Sequence, residues 1–212
     1  MDRAARVERW SGVAIGAAGI LTFGINAGLT PLLDSGAPFA TTAASTLFLW
    51  RQSASALAAL LLVVGSIGLF LRHADRVGGF GTMAFLSALV GSSLLLANEW
   101  CQVVFVRGLA IGAPETLEAL DAAEGISPFD LGSLVAFAAF ALGWIAFSVS
   151  MLRCGAHTRW GPALVIAGLF ATPILSAAVG PALGAACGSA LLGAGWFIEG
   201  RELLSGPQSV RG

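Results

Sequence analysis

Six long apolar stretches constrain the fold of this 212-residue chain more than any other feature. A helix needs about 20 mainly apolar residues to cross a bilayer, and its backbone polar groups are then satisfied within the helix. The sequence therefore predicts an all-α fold, a polytopic membrane protein built as a bundle of six transmembrane helices. The predicted spans are about 11–33, 47–71, 79–106, 129–152, 160–179 and 181–199.

The composition agrees with a lipid bilayer as the surroundings and excludes nucleic acid as a partner. Hydrophobic residues make up 57% of the chain and charged residues 11%, whereas a soluble domain carries about 25% charged residues. The net charge of −1 gives no strong attraction to nucleic acid. The first stretch exceeds the roughly 7–15 apolar residues of a cleaved signal peptide, so it is predicted to be a retained helix.

The positions of the arginines orient the predicted helices. All eleven basic residues are arginines, and nine of them fall in four segments that alternate onto one side: 1–10, 72–78, 153–159 and 201–212. Cytoplasmic loops are enriched in such residues. We therefore expect a cytoplasmic N-terminal segment at 1–10, a single transmembrane domain over 11–200 and a cytoplasmic tail at 201–212. The abundance of Ala and Gly favours a bacterial source, and hence a multi-pass protein of the inner (plasma) membrane.

The longest predicted outer segment, 112–126, has the pattern of a short amphipathic helix. Pro114 suits a first helical turn, and Gly125 suits the residue that follows a helix end. Acidic residues recur at every third position, namely Glu115, Glu118, Asp121 and Glu124. The helix either lies on the outer membrane surface or caps the bundle, and its acidic face is either a solvated surface or a cation site. Ser127 and Pro128 then begin the fourth span as N-cap and first residue.

The polar run near the end of the third span is the main functional clue. Glu99 lies in the stretch LLLANEWCQVVFVR, residues 94–107. An unpaired charge at membrane depth costs at least ~2.5 kcal/mol, so Glu99 should face the bundle and find a partner. Arg51, at the outer start of the second span, is predicted at a similar height, and a bidentate Arg51–Glu99 pair is geometrically reasonable.

Several uncharged polar side chains are predicted at the same height as this pair. We expect one outward-facing polar cluster made of Glu99, Arg51, Asn98, Gln102, Asn26 and Gln52. The functional interpretation is a site for a small solute, an ion or a proton. The structural interpretation is a salt bridge that ties the second and third spans together, with the amides in the wet interface.

Two further patterns concern apolar and small residues. The aromatic residues of the fourth span recur on one helix face, either as an apolar pocket for a flat ligand such as a quinone or as bundle core: Phe137, Phe140, Trp144 and Phe147. Glycines at four-residue spacing predict close helix packing in the first and sixth spans, at Gly12, Gly16, Gly24, Gly28, Gly184 and Gly188. These Gly faces pack either within the chain or against other membrane subunits or a second copy.

Motifs that would indicate a reaction are missing from the sequence. It contains no HExxH, GxSxG or phosphate-binding loop, and its three cysteines form no CxxC pair. Cys154, His157 and His73 fall in predicted inner loops without a standard metal-ligand spacing. The sequence therefore predicts no catalytic residue, no metal site and no cofactor.

The inner turn after the fourth span has a basic pattern, MLRCGAHTRWGPALVIAG, at residues 151–168. With the six predicted helices and cytoplasmic termini, it resembles small bacterial six-helix integral membrane proteins of unknown function, a resemblance that implies no activity. The favoured hypothesis is a non-enzymatic membrane protein that binds or transports a small solute or ion through the cluster around Glu99 and Arg51. The alternatives are a structural or accessory subunit packing through its Gly-rich helices, and a membrane enzyme acting on a lipid or quinone.

Overall fold

The structure is a computed structural model that describes residues 3–34, 36–122, 126–155 and 158–205. Within these residues the secondary structure is entirely helical, as the sequence predicts. The α-helices are α1 (Arg3–Gly24), α2 (Phe39–Ala44), α3 (Thr46–Cys101), α4 (Arg107–Gly112), α5 (Pro114–Asp121), α6 (Pro128–Arg153), α7 (Trp160–Val179) and α8 (Pro181–Leu204). A π-helical segment follows α1 (Ile25–Leu29) and another follows α3 (Gln102–Val106).

Five helical runs in the described part of the chain are long and apolar enough to cross a membrane. Four of them match one predicted span each. The fifth, Thr46–Gly112, has 67 residues and covers two predicted spans. A straight helix of that length would measure about 100 Å, roughly three times the hydrocarbon thickness of a bilayer.

The long helix α3 folds back on itself at Gly78. This residue has φ 59° and ψ −166°, a conformation that is essentially restricted to glycine. The ring of Phe70 stacks on that of Phe85 with 4.3 Å between centroids, so the two sides of the break lie next to each other. We call residues 46–77 the first arm of α3 and residues 79–101 its second arm. The inner loop expected between the second and third spans is therefore a one-residue break.

Local signals in the sequence set where α6 and α8 begin. The backbone N–H of Asp130 donates to Ser127 Oγ at 3.1 Å, which confirms Ser127 as the N-cap of α6. Pro181 begins α8 directly after Gly180, whose φ is 102°. Proline suits a first turn because its missing N–H would have no helical partner there.

Close glycine contacts hold the long helices together within the chain. A Cβ on Gly19 of α1 would lie 2.5 Å from the backbone oxygen of Gly193 on α8, and Gly12 meets Gly200 in the same way. Gly184 and Gly188 press α8 against α7. The predicted Gly24 and Gly28 differ, because no atom of the described residues would lie within 4 Å of a Cβ at either position.

The same kind of contact places the arms of α3 and α6. Gly65 of the first arm meets Ile15 of α1, whereas Gly143 of α6 meets Ser87 of the second arm. The long helical segments therefore pack side by side in the order α7, α8, α1, first arm, second arm and α6. In addition, α6 contacts α7. In the centre, the rings of Trp144 and Trp196 lie 5.4 Å apart, nearly perpendicular.

The three short helices pack together at one end of the bundle, the predicted outer end. Leu117 of α5 is buried in an apolar cluster that includes Ala43 of α2 and Ala110 of α4. The backbone N–H of Ala40 donates to Glu118 Oε1 at 2.6 Å, so α5 satisfies an otherwise free donor at the start of α2. The structure thus places α5 against the bundle, while Glu124 and Gly125 lie outside the described residues.

Candidate functional site

A cavity of about 210 Å³ lies inside the bundle toward the outer end. Residues of α1 and the π segment after it, both arms of α3, α6, α7 and α8 line it. They include Asn26 of the π segment, Arg51 and Glu99 of the two arms, Phe140 of α6, Thr172 of α7 and Trp196 of α8. We call it the central cavity. Its location between helices is the usual place for a small-molecule site in a helical bundle.

The polar end of the central cavity is organised around Arg51. Its Nε donates to Thr30 Oγ1 at 3.3 Å, and its Nη1 donates to the Oε1 of its neighbour Gln52. Thr30 Oγ1 in turn donates to the backbone oxygen of Ile25 at 3.2 Å. Arg51 is therefore fixed by its own helix and by the end of the first span, and these bonds leave its Nη2 for another partner.

Glu99 faces the same cavity but does not pair with Arg51. Both residues lie in the described part of the chain, and no side-chain nitrogen of Arg51 lies within 4.0 Å of a carboxylate oxygen of Glu99. The Oε2 atom of Glu99 is buried and has no hydrogen-bond partner among the described residues. The expected bidentate pair is therefore wrong, because Thr30 and Gln52 bind the guanidinium instead. Arg51 acts on Glu99 only electrostatically, at longer range.

The opposite end of the central cavity is apolar and aromatic. Phe137 and Phe140 of α6 and Trp196 of α8 line it, and the rings of Phe140 and Trp196 meet edge to face at 6.1 Å. The other two predicted aromatics do not line it: Trp144 and Phe147 are fully buried in the core. Trp144 Nε1 donates to Ser92 Oγ at 3.0 Å, which explains how this indole is accommodated in mid-span.

Asn98 and Gln102 do not join the central cavity. They line a separate groove between the second arm and α6, where Ser133 Oγ donates to Asn98 Oδ1 at 3.0 Å. Successive helical residues point about 100° apart because a turn holds 3.6 residues. Asn98 cannot therefore face the same direction as Glu99. Of the six predicted polar residues, three line the cavity and Gln52 supports Arg51.

The most deeply buried carboxyl group in the described residues is not among those predicted from the sequence. Glu199 of α8 is 2% exposed, and its Oε1 has no hydrogen-bond partner in the described chain. The available signal was its spacing of three residues from Trp196, which places both side chains on one helix face. Because Glu199 is the last residue of the predicted sixth span, it reads from the sequence as an interfacial charge.

The inner end, opposite the short helices, carries an ion pair. Arg72 Nη2 lies 2.8 Å from Glu8 Oε2, and Arg72 also donates to the backbone oxygens of Glu202 and Leu203 at 3.4 and 3.1 Å. In this way Arg72 connects the first arm to α1 and to the C-terminal end of α8. Such a cation suits the free carbonyls and negative dipole at a helix C-terminus.

No metal centre is seen in the part of the chain that the structure describes. The residues there include no group of three or more His, Cys, Asp or Glu side chains that could hold a metal ion. His73 is buried, with its Nδ1 2.8 Å from the backbone oxygen of Leu69. Cys154 Sγ donates to the backbone oxygen of Arg76, and His157 lies outside the described residues.

Comparison with protein-family models, curated proteins and solved structures finds no match to this chain. The resemblance of residues 151–168 to small bacterial six-helix proteins therefore stays a prediction. The central cavity is the feature of the described structure that bears most directly on what the chain can do chemically. There, the side chains of Arg51 and Glu99 face one cavity without contacting each other, and Phe137, Phe140 and Trp196 line the same cavity.

Proposed function

We propose that this protein is a non-enzymatic, six-span protein of the bacterial inner membrane that binds a small solute in the central cavity and transports it. Both termini are cytoplasmic in this proposal. The observation that carries it is the pair Arg51 and Glu99, which line one cavity and leave each other unpaired. Intramembrane charges of this kind mark substrate or ion pathways.

The number of crossings is supported by the fold of α3. Since its two arms lie side by side around Gly78, the 67-residue run accounts for two crossings, and the four other long helices account for four. The arginines at 72 and 76 then lie at the same inner end as the N-terminal arginines. This placement agrees with the positive-inside rule.

The chemistry of the cavity favours a solute that carries both charges. A carboxylate on the ligand suits Arg51, which can offer its Nη2, and an ammonium group suits the unpartnered oxygen of Glu99. An apolar body would lie against Phe137, Phe140 and Trp196. At about 210 Å³, the cavity has room for a zwitterion the size of an amino acid.

The accessory-subunit and enzyme hypotheses have less support. The Gly faces of α1 and α8 pack on each other at Gly12, Gly19, Gly193 and Gly200, so they are already covered within one chain. The expected strut between Arg51 and Glu99 is not formed. An enzyme acting on a lipid would need a lipid-facing slot beside Glu99, and the groove that holds Asn98 and Gln102 does not include that carboxyl.

A ligand screen by thermal unfolding tests the proposal. Purified protein in detergent is heated with amino acids, with small amines and with small carboxylates, each added separately. We expect at least one zwitterion to raise Tm through preferential binding to the folded state, and Arg51→Gln and Glu99→Gln each to remove that shift. Asn98→Ala is the matched control, because it alters a polar side chain of the same helix outside the cavity, and it should keep the shift.

Two results would contradict the proposal. One is a screen in which no solute of any of the three classes raises the Tm of the wild-type protein. The other is a solute-induced shift that survives in both charge variants, because binding would then occur elsewhere on the protein.

A further inference from the structure

The face of α8 that lines the central cavity continues below it toward the inner end. Ser189, Leu192 and Trp196 line the cavity, and Glu199 follows at the next position with the same spacing of three or four residues. A separation of three residues is about 4.5 Å along a helix axis. Glu199 therefore lies one turn below the aromatic end of the cavity.

Glu199 is buried where α8 meets the first turn of α7. Its carboxyl lies against Gly161 in the first turn of α7, so closely that a Cβ on Gly161 would clash with its Oε1. That oxygen has no hydrogen-bond partner among the described residues. An ionised carboxylate without a partner is unfavourable to bury, so the neutral acid is the form that suits this position.

The charges around this position do not compensate a carboxylate. Glu202, one turn further along α8, is the charged group that acts on Glu199, and it acts by repulsion. The facing residues of α7 are Gly161 and Val165, which are uncharged and contact Gly195 and Glu199. On the first arm and α1, Arg72 is already paired with Glu8, and the buried His73 lies within electrostatic range of Arg72, Arg76 and Glu202.

A second polar group on the same face is also unpartnered. Trp196 is 1% exposed, and its Nε1 has no acceptor in the described part of the chain. The buried Oε1 of Glu202 also has no hydrogen-bond partner among the described residues. Glu199 therefore has an unpartnered polar group about one turn away on each side, Trp196 toward the cavity and Glu202 toward the inner end of α8.

We propose that Glu199 is a proton-binding site inside the bundle, and that Glu202 passes its proton to the water at the inner end. In this step the O–H bond of the Glu199 carboxylic acid breaks and an O–H bond forms on the Glu202 carboxylate. Glu202 then releases the proton to water, and no electron transfer is involved. The site is separate from the charges that bind the solute, so it can be tested without knowing the solute.

Infrared spectroscopy of the purified protein in lipid vesicles tests this site. A protonated carboxyl group has a C=O stretching band apart from those of carboxylates and amides, and the band shifts when D₂O replaces H₂O. We expect the wild-type protein to show such a band at neutral pH with a shift in D₂O. Because Glu99 also has a buried oxygen without a partner among the described residues, the variants are compared in a Glu99→Gln background. There, Glu199→Gln should lose the band. Glu115→Gln, a control at an exposed carboxyl group of α5, should keep it. Glu202→Gln should keep the band and show slower exchange.

Chemical labelling of the wild-type protein provides a second test in case the Glu199→Gln variant does not fold. Dicyclohexylcarbodiimide reacts with protonated carboxyl groups in apolar surroundings, and peptide mass mapping of the labelled wild-type protein should find the adduct on Glu199. A band that remains when Glu199→Gln is folded in the Glu99→Gln background would overturn the proposal, as would a band that does not exchange in D₂O. Absence of label at Glu199 together with absence of the band would overturn it too. A failed solute screen would leave these results unaffected.

Discussion

Arg51 and Glu99 line one cavity from the two arms of α3 without forming an ion pair. The guanidinium is bound by Thr30 and Gln52 instead, while one oxygen of the carboxylate is buried and has no hydrogen-bond partner in the described part of the chain. A pair that served only to tie the two arms together would be in contact. The two charges are therefore better explained by something that enters the cavity than by the stability of the hairpin.

The contact between α1 and α8 should not tolerate a side chain at Gly19. An alanine Cβ there would lie 2.5 Å from the backbone oxygen of Gly193, so the helices would have to move apart. We expect Gly19→Ala to lower the free energy of unfolding by about 1–3 kcal/mol, the usual cost of overpacking. Thermal unfolding in detergent measures it.

Gly24→Ala is the matched control for this contact, on the same helix. A Cβ at Gly24 meets no described atom within 4 Å, and alanine favours a helix by up to about 1 kcal/mol over glycine. The Gly24 variant should be as stable as the wild type or more so. Equal losses in the two variants would show that the α1–α8 contact is not as close as described.

The fold-back of α3 should depend on glycine at position 78. Its φ of 59° with ψ near −166° costs another residue about 1–3 kcal/mol. We therefore expect Gly78→Ala to reduce stability by that amount, as measured by denaturant or thermal unfolding. Gly79→Ala serves as the control, since neither φ nor a close contact restricts that position. If both variants are equally stable, the break lies elsewhere.

Glu118 should stabilise the outer end through the start of α2. Its Oε1 accepts from the backbone N–H of Ala40 at 2.6 Å, and hydrogen bonds to charged groups contribute about 1.5–3 kcal/mol. Glu118→Ala should lower the free energy of unfolding within that range or somewhat below it. The exposed Glu115 of the same helix is the control, and Glu115→Ala should have little effect. Hydrogen exchange of the Ala40 amide offers a second readout, with faster exchange expected in Glu118→Ala.

The long helices follow from the sequence because their length and apolar character are set by the membrane. The bounds of α6, α7 and α8 lie within a few residues of the predicted spans, and Ser127 and Pro181 mark two helix starts through local chemistry. The fold-back at Gly78 is not visible in the same way. Two neighbouring glycines, Gly78 and Gly79, indicate a break, but their pattern does not reveal that the helix resumes at once.

The residues that line the cavity can be predicted from the sequence only in part, because they depend on how each helix is rotated about its axis. Hydropathy predicts Asn98, Glu99 and Gln102 at a similar height in the membrane. In the structure, Asn98 and Gln102 point into the separate groove between the second arm and α6. Height matters as well: Phe140 and Trp144 share one face of α6 but lie one turn apart, so Phe140 reaches the cavity while Trp144 is held by Ser92 in the core. The burial of Glu199 could not be predicted from the sequence either, because it depends on a close contact with Gly161 of α7.

The most direct test of the central claim is a double-mutant cycle on Arg51 and Glu99. The free energies of unfolding of the wild type, Arg51→Gln, Glu99→Gln and the double variant are compared in solute-free buffer. If the charges face a ligand and not each other, the coupling energy between the two changes should be well below the roughly 3–5 kcal/mol that breaking a buried ion pair costs, and Glu99→Gln alone should cost little or stabilise the protein. If both single changes are strongly destabilising and the double change largely restores stability, the pair is a structural strut and the proposed solute site is wrong.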